Sequence, residues 1–187
     1  MKHQRMIAAV ALIGATSLAV LAAPAHADGG TTARTPDRHA YVNMQTSSPK
    51  LASCFPHARA KVTVDLTTAK RGFDTVRIDA HGLQPNTQFT AFFLQQAAAP
   101  FGAAEYYGDF NTNSHGDGWA QFNLIAEEAF AFNNTTHQRI DLNAMGFWFA
   151  DEKADDACLG ANSPVTGFDG DGAAGVQMMN SAHTFLP

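Results

Sequence analysis

The chain is short of the residues that mark many specialised chemistries. Its 187 residues include only 2 cysteines, too few for a disulfide-dense scaffold, and only 16% charged residues against 45% hydrophobic ones. That balance is globular and excludes a disordered or collagen-like chain. Basic charge is scarcest: 12 Lys and Arg face 17 Asp and Glu, a formal charge of −5. After residue 27 the basic residues stand singly except for Lys70-Arg71. A polyanion binder needs them clustered, so neither nucleic acid nor an anionic membrane surface is an expected partner.

Long apolar runs are equally scarce. The single one, Met6 to Ala22, follows the basic start Lys2, His3 and Arg5 and precedes Pro24-Ala25-His26-Ala27. This is the pattern of a secretory signal peptide over residues 1–27, and the small-residue exit favours cleavage after Ala27 over an uncleaved anchor. Removing Lys2 and Arg5 from the 12 basic residues leaves 10 against 17 acidic ones, a formal charge of −7 for the remaining 160 residues. No second run of that length follows, so the expected product is secreted, extracellular and free of the membrane. One domain accommodates 160 residues.

Local catalytic and metal motifs are missing too. After residue 27 no two of His39, His57, His81, His115, His137 and His183 stand at a zinc-binding spacing. There is no G-x-S-x-G, no phosphate loop and no dinucleotide fingerprint, so no cofactor is expected. Asp169-Gly170-Asp171-Gly172 starts like a calcium loop, but Ala173, Ala174 and Asn180 occupy positions that need a ligand, a sharp-turn glycine and a closing glutamate. A turn is the better reading there. Asp151, Glu152, Asp155 and Asp156 read as a solvated acidic face rather than a cation site, and no metal site is assigned.

What is present is alternation. Residues 28–50 hold Gly, Thr, Ser and Pro with few apolar residues and read as a flexible leader, with the domain starting near Leu51. From there KVTVDLTT (61–68) and DTVRIDAHGL (74–83) place Val62, Val64, Leu66, Val76, Ile78 and Ala80 on one face. Further strands are predicted at 87–96, 103–113, 119–127, 143–150 and 174–179. The turn residues Asn113 to Gly118 make the 103–113 and 119–127 pair a hairpin. In NAMGFWFA, Met145, Phe147 and Phe149 face one way and Trp148 the other. Helical turns are expected only at 127–132 and 151–157. The fold class that follows is all-β: an antiparallel β-sandwich over residues 51–187, Ig-like Greek key in topology, with a short helical turn near the C-terminal cysteine.

Cys54 and Cys158 are an even pair in an exported chain, which favours one disulfide over two buried thiols or a nucleophilic cysteine. Four stretches, CFPHARA (54–60), APFGAAEYYGDFNTNSHGDG (99–118), MGFWFADEKADDAC (145–158) and PVTGFDGDGAAGVQMMNS (164–181), resemble a family of small secreted β-sandwich proteins of Gram-positive soil bacteria with no assigned activity. The resemblance spans nearly all of the chain after Ser53. It implies that Cys54 and Cys158 are part of a shared framework and transfers no catalytic residue. A longer Pro-rich insertion expected before the Trp148 strand is replaced here by residues 133–143.

Aromatic residues are the remaining candidates for a site. Neighbours on a strand face opposite ways, so at least one of Tyr106 and Tyr107 points away from the core. Glu105, Tyr106, Tyr107, Asp109 and Trp119 are the candidate ligand-binding residues, aromatic faces stacking on a ligand and carboxylates taking its hydroxyls. The expected function is a secreted, non-enzymatic module that binds a cell-wall polysaccharide or an extracellular protein. The alternatives are an extracellular hydrolase of wall or environmental polymer using Glu105, Asp109 and Asp117, and a purely structural surface protein.

Overall fold

Residues 38–169 and 172–185 are described by a computed structural model of the chain. The proposed signal peptide, residues 28–37 of the proposed leader, and Gly170 and Asp171 of the calcium-like turn lie outside the described residues. The elements run β1 (Arg38–Thr46), α1 (Pro49–Cys54), β2 (Arg59–Leu66), α2 (Thr68–Arg71), β3 (Asp74–His81), β4 (Gln88–Leu94), β5 (Ala104–Asn111), β6 (Gly118–Leu124) and β7 (Phe130–Asn133). They continue with β8 (Gln138–Asp141), β9 (Ala144–Phe149), α3 (Asp156–Leu159), β10 (Thr166–Asp169), β11 (Gly172–Ala174) and β12 (Gln177–Ser181).

The protein is all-β and antiparallel, as its alternation requires. Eight strands form one continuous sheet in the order β5-β4-β9-β12-β1-β2-β3-β6, while β7–β8 and β10–β11 are separate hairpins. A sandwich- or barrel-like shape results because the two ends of the sheet return to each other: β5 and β6 are linked by an antiparallel bridge between Thr112 and Gly118. The hydrogen bonding does not divide these strands into two sheets, so the expected Ig-like Greek key is not seen in the pairing.

Register carries the apolar alternation into one core. Val62 pairs with Ile78 and Val64 with Val76 across β2 and β3, and Phe89, Ala91 and Phe93 of β4 lie opposite Phe149, Phe147 and Met145 of β9. All ten are at most 2% exposed. Burying each large side chain contributes on the order of 1.5–3 kcal/mol. A one-residue slip in any of these pairs would turn the whole set outward, which is why the register is fixed.

Two expectations from the sequence are overturned. The segment taken as a flexible leader contains β1, which sits between β12 and β2 in the middle of the sheet and buries Val42 and Met44. Its few apolar residues suffice because a strand paired on both edges satisfies its backbone through its neighbours. The domain therefore includes Arg38 onward rather than starting near Leu51. Residues 127–132, expected as a helical turn, instead lead into β7, whose Phe130, Ala131 and Phe132 pair with Asp141, Ile140 and Arg139.

Three side-chain links tie separate segments of the chain together. Cys54 and Cys158 form a disulfide with a Cα–Cα distance of 5.9 Å, joining α1 to α3. Asp74, fully buried at the start of β3, accepts four backbone N–H bonds: from Thr67 and Thr68 on Oδ1 at 2.7 and 2.8 Å, and from Ala126 and Glu127 on Oδ2 at 2.9 Å each. One carboxylate thus ties the β2–β3 turn to the chain leaving β6. Asp155, expected on a solvated acidic face, is also fully buried. It accepts from Val176 N at 2.7 Å and from the Ser163 hydroxyl at 2.5 Å, because the backbone turning back toward β12 needs an acceptor there.

Candidate functional site

The predicted hairpin forms, and its turn is built by one asparagine. Asn113 Oδ1 accepts from the backbone N–H of His115 at 2.8 Å and of Asp117 at 3.0 Å, while Asn113 N donates to Asp117 O at 2.8 Å. Asp117 also meets His81 Nδ1 at 2.9 Å. Beyond the Thr112–Gly118 bridge no ladder joins β5 to β6, and the two strands frame an open seam.

Two local devices shape that seam. The first is a bulge in β5: Ala91 pairs with Gly108 and Phe92 with Tyr106, leaving Tyr107 as the extra residue. Tyr107 turns toward the core, with its ring 4.5 Å from Phe93 and 5.4 Å from Phe122, whereas Tyr106 turns to the other face, 5.9 Å from Phe92. The second is Gly108, which adopts φ +154° directly beneath the Phe122 ring. A Cβ at that position would lie 2.1 Å from Phe122 Cε1, so only glycine lets the ring close the inner part of the seam.

Outside that plug the strands leave a cavity of about 560 Å³. Phe93, Tyr107, Leu124 and Ala129 line its inner side, Tyr106, Ile125 and Phe130 border it, and Glu105 and Glu128 contribute carboxylates. Tyr106 is 49% exposed and Phe130 40%. The Tyr107 hydroxyl is buried with no hydrogen-bond partner, and burial pushes its pKa up from the ordinary tyrosine value. Burial also raises the Glu105 carboxyl above the usual carboxylate range. The cavity therefore offers apolar aromatic faces and two acids.

The five residues singled out from the sequence are divided by this geometry. Glu105, Tyr106 and Tyr107 border the cavity. Asp109 lies on β5 opposite Thr90 and accepts from Gln88 Nε2 at 3.1 Å, and Trp119, 65% exposed, lies on β6 opposite Asp79. Neither lines the cavity, and Asp117 is held at the hairpin turn. The trio Glu105, Asp109 and Asp117 is consequently not gathered into one pocket. Sequence reasoning misses Glu128 and Phe130 because it predicts a helical turn at 127–132, and Ile125 because it counts as an ordinary member of the 119–127 strand. The alternation in AFAFN was the available signal, since a helix would not keep Phe130 and Phe132 on one side.

Other candidates fall away from the cavity. Ser114 and His115 are exposed neighbours in the hairpin turn, 3.4 Å apart. Among the described residues no three His, Cys, Asp or Glu side chains are grouped as a metal would require, and no helix is long and apolar enough to cross a membrane. No protein-family model and no curated protein matches the chain.

Proposed function

We propose that this protein is a secreted, extracellular module that binds a cell-wall polysaccharide at the β5–β6 seam, without chemistry of its own. The observation that carries the reading is the cavity bordered by Tyr106, Tyr107 and the exposed Phe130 together with Glu105 and Glu128. A sugar ring presents apolar C–H faces to aromatic rings and hydroxyls to carboxylates, and this wall supplies both. Secretion rests on the basic and apolar N-terminal segment with its A-x-A exit, and the Cys54–Cys158 disulfide is compatible with it.

The test is depletion of the purified protein from solution by insoluble chitin, cellulose and peptidoglycan. Retention on at least one polymer is expected, reduced several-fold by Tyr106→Ala and by Glu105→Gln. Failure to bind any of the three removes the wall-polymer reading. A second reading draws on the same cavity: an acid whose pKa is raised, sharing a pocket with another carboxylate, is the arrangement of a hydrolase. Release of new reducing ends from the retained polymer, abolished by both Glu105→Gln and Glu128→Gln, would replace binding alone with catalysis.

A further inference from the structure

The outer face of the sheet carries a second set of converging side chains, away from the seam. In β12 a register shift lies between Gln177, paired with Trp148, and Met179, paired with Phe147. Met178 and Met179 both enter the core, while Gln177 and Asn180 stand opposite Trp148 and Gly146. Each of the two amides is only 8% exposed. Their polar atoms are therefore removed from water, where each needs a partner.

Those needs are half met. Asn180 Nδ2 donates to Ala97 O at 2.9 Å, which orients the amide and leaves Oδ1 a buried acceptor without a partner. Gln177 Nε2 is a buried donor without one. Both residues border a cavity of about 350 Å³ whose apolar wall includes Trp148, Phe101 and Leu51. Phe101 meets the Trp148 ring edge-on at 5.2 Å. Trp148 and Gln177 pack directly on the bare backbone of Gly146: a Cβ there would lie 2.5 Å from the Trp148 ring and 2.6 Å from Gln177 Nε2.

One unmet donor and one unmet acceptor beside aromatic rings are the complement of a secondary amide. We propose that this cavity binds a small ligand through such a group. Its carbonyl accepts from Gln177 Nε2, its N–H donates to Asn180 Oδ1, and its apolar substituent packs on Phe101 and Trp148. A volume near the lower end of small-molecule sites fits a single sugar ring or a dipeptide rather than a larger ligand. The site shares no residue with the seam cavity and does not depend on the reading given to it.

An acetamido sugar and a capped peptide both carry this group, and the titration separates them. The isotope-labelled protein is titrated with N-acetylglucosamine, with N-acetylalanine N-methylamide and with glucose, following the side-chain amides of Gln177 and Asn180 and the indole of Trp148 by NMR. At least one amide-bearing compound is expected to shift these resonances saturably, with glucose at least about tenfold weaker, as loss of a paired donor and acceptor implies. Gln177→Met, which keeps the volume and removes the donor, should weaken binding by a similar factor. The proposal is overturned if neither amide compound gives a saturable shift, if glucose does as well, or if the shifts fall only on seam residues such as Tyr106 and Glu128. Should the variant fail to fold, the comparison with glucose on the unaltered chain still decides.

Discussion

Substituting Asp74 by asparagine tests the firmest energetic inference from the fold. The carboxylate accepts four backbone N–H bonds, two on each oxygen, while wholly shielded from water. Asparagine can keep its carbonyl toward Thr67 and Thr68, but its amide nitrogen then faces the N–H groups of Ala126 and Glu127, donor against donor. Two bonds to a charged acceptor are lost, each worth about 1.5–3 kcal/mol, so the expected destabilisation is about 3–6 kcal/mol. That is a large part of a typical domain stability of about 5–15 kcal/mol. Urea unfolding followed by tryptophan fluorescence, with the disulfide intact, should show the midpoint fall at an unchanged slope. Asp79→Asn, on the same strand but with its carboxylate 65% exposed, should change stability by less than about 0.5 kcal/mol. Amide exchange of residues 124–130 should also rise more than that of the β2–β3 core, because Ala126 and Glu127 lead into the seam wall. A loss below about 1 kcal/mol for Asp74→Asn would refute the reasoning, since the four bonds would then contribute little beyond what solvent supplies.

Three further outcomes follow from single features. Replacing both Cys54 and Cys158 by serine opens a crosslink spanning 104 residues and should cost about 2–5 kcal/mol. Alkylation of the untreated protein without reductant should leave its intact mass unchanged. Gly108→Ala should destabilise by about 1–3 kcal/mol through the Phe122 clash. Combined with Phe122→Ala it should cost less than the sum of the two, whereas strict additivity in a double-mutant cycle would place the strain elsewhere. Burial alone would raise the Asp65 pKa, but hydrogen bonds from His39 at 2.6 Å and from Arg77 outweigh it, and the pKa is lowered. Because the folded value lies below the unfolded one, this stabilisation is present above about pH 4 and is lost as pH falls through the folded value. Asp65→Asn should therefore lower stability at neutral pH and flatten its decline in acid. An acid limb as steep as that of the unaltered protein would dissociate Asp65 from the effect.

How much could be read beforehand depended on the range of the interaction. Alternation located β2, β3, β4, β9 and the β5–β6 hairpin, and placed Val62, Val64, Ile78, Phe147 and Phe149 inward, because a strand with one buried face must repeat every second residue. It put Trp148 on the opposite face, where Phe92 and Phe101 now cover it. The even cysteine pair favoured the bond that joins α1 to α3. β1 escaped notice because its place depends on two flanking strands rather than on its own apolar content.

The sites were less legible because they are made by register and closure. Local pattern nominated Glu105, Tyr106 and Tyr107, which all border the seam cavity, yet a single extra residue in β5 decides which tyrosine enters the core and which meets solvent. Glu128 and Phe130 reach the same cavity only because the sheet curls until β5 returns to β6, and Asp109 and Trp119 miss it because they lie away from that opening. Asp74 and Asp155 look like ordinary acids in the sequence and become buried anchors where turns from distant segments present their N–H groups. Sequence by itself determined which residues seek the interior, since that choice is made residue by residue against water. Only the tertiary structure decided which polar groups share a cavity, since that depends on strand order, bulges and the closure of the sheet.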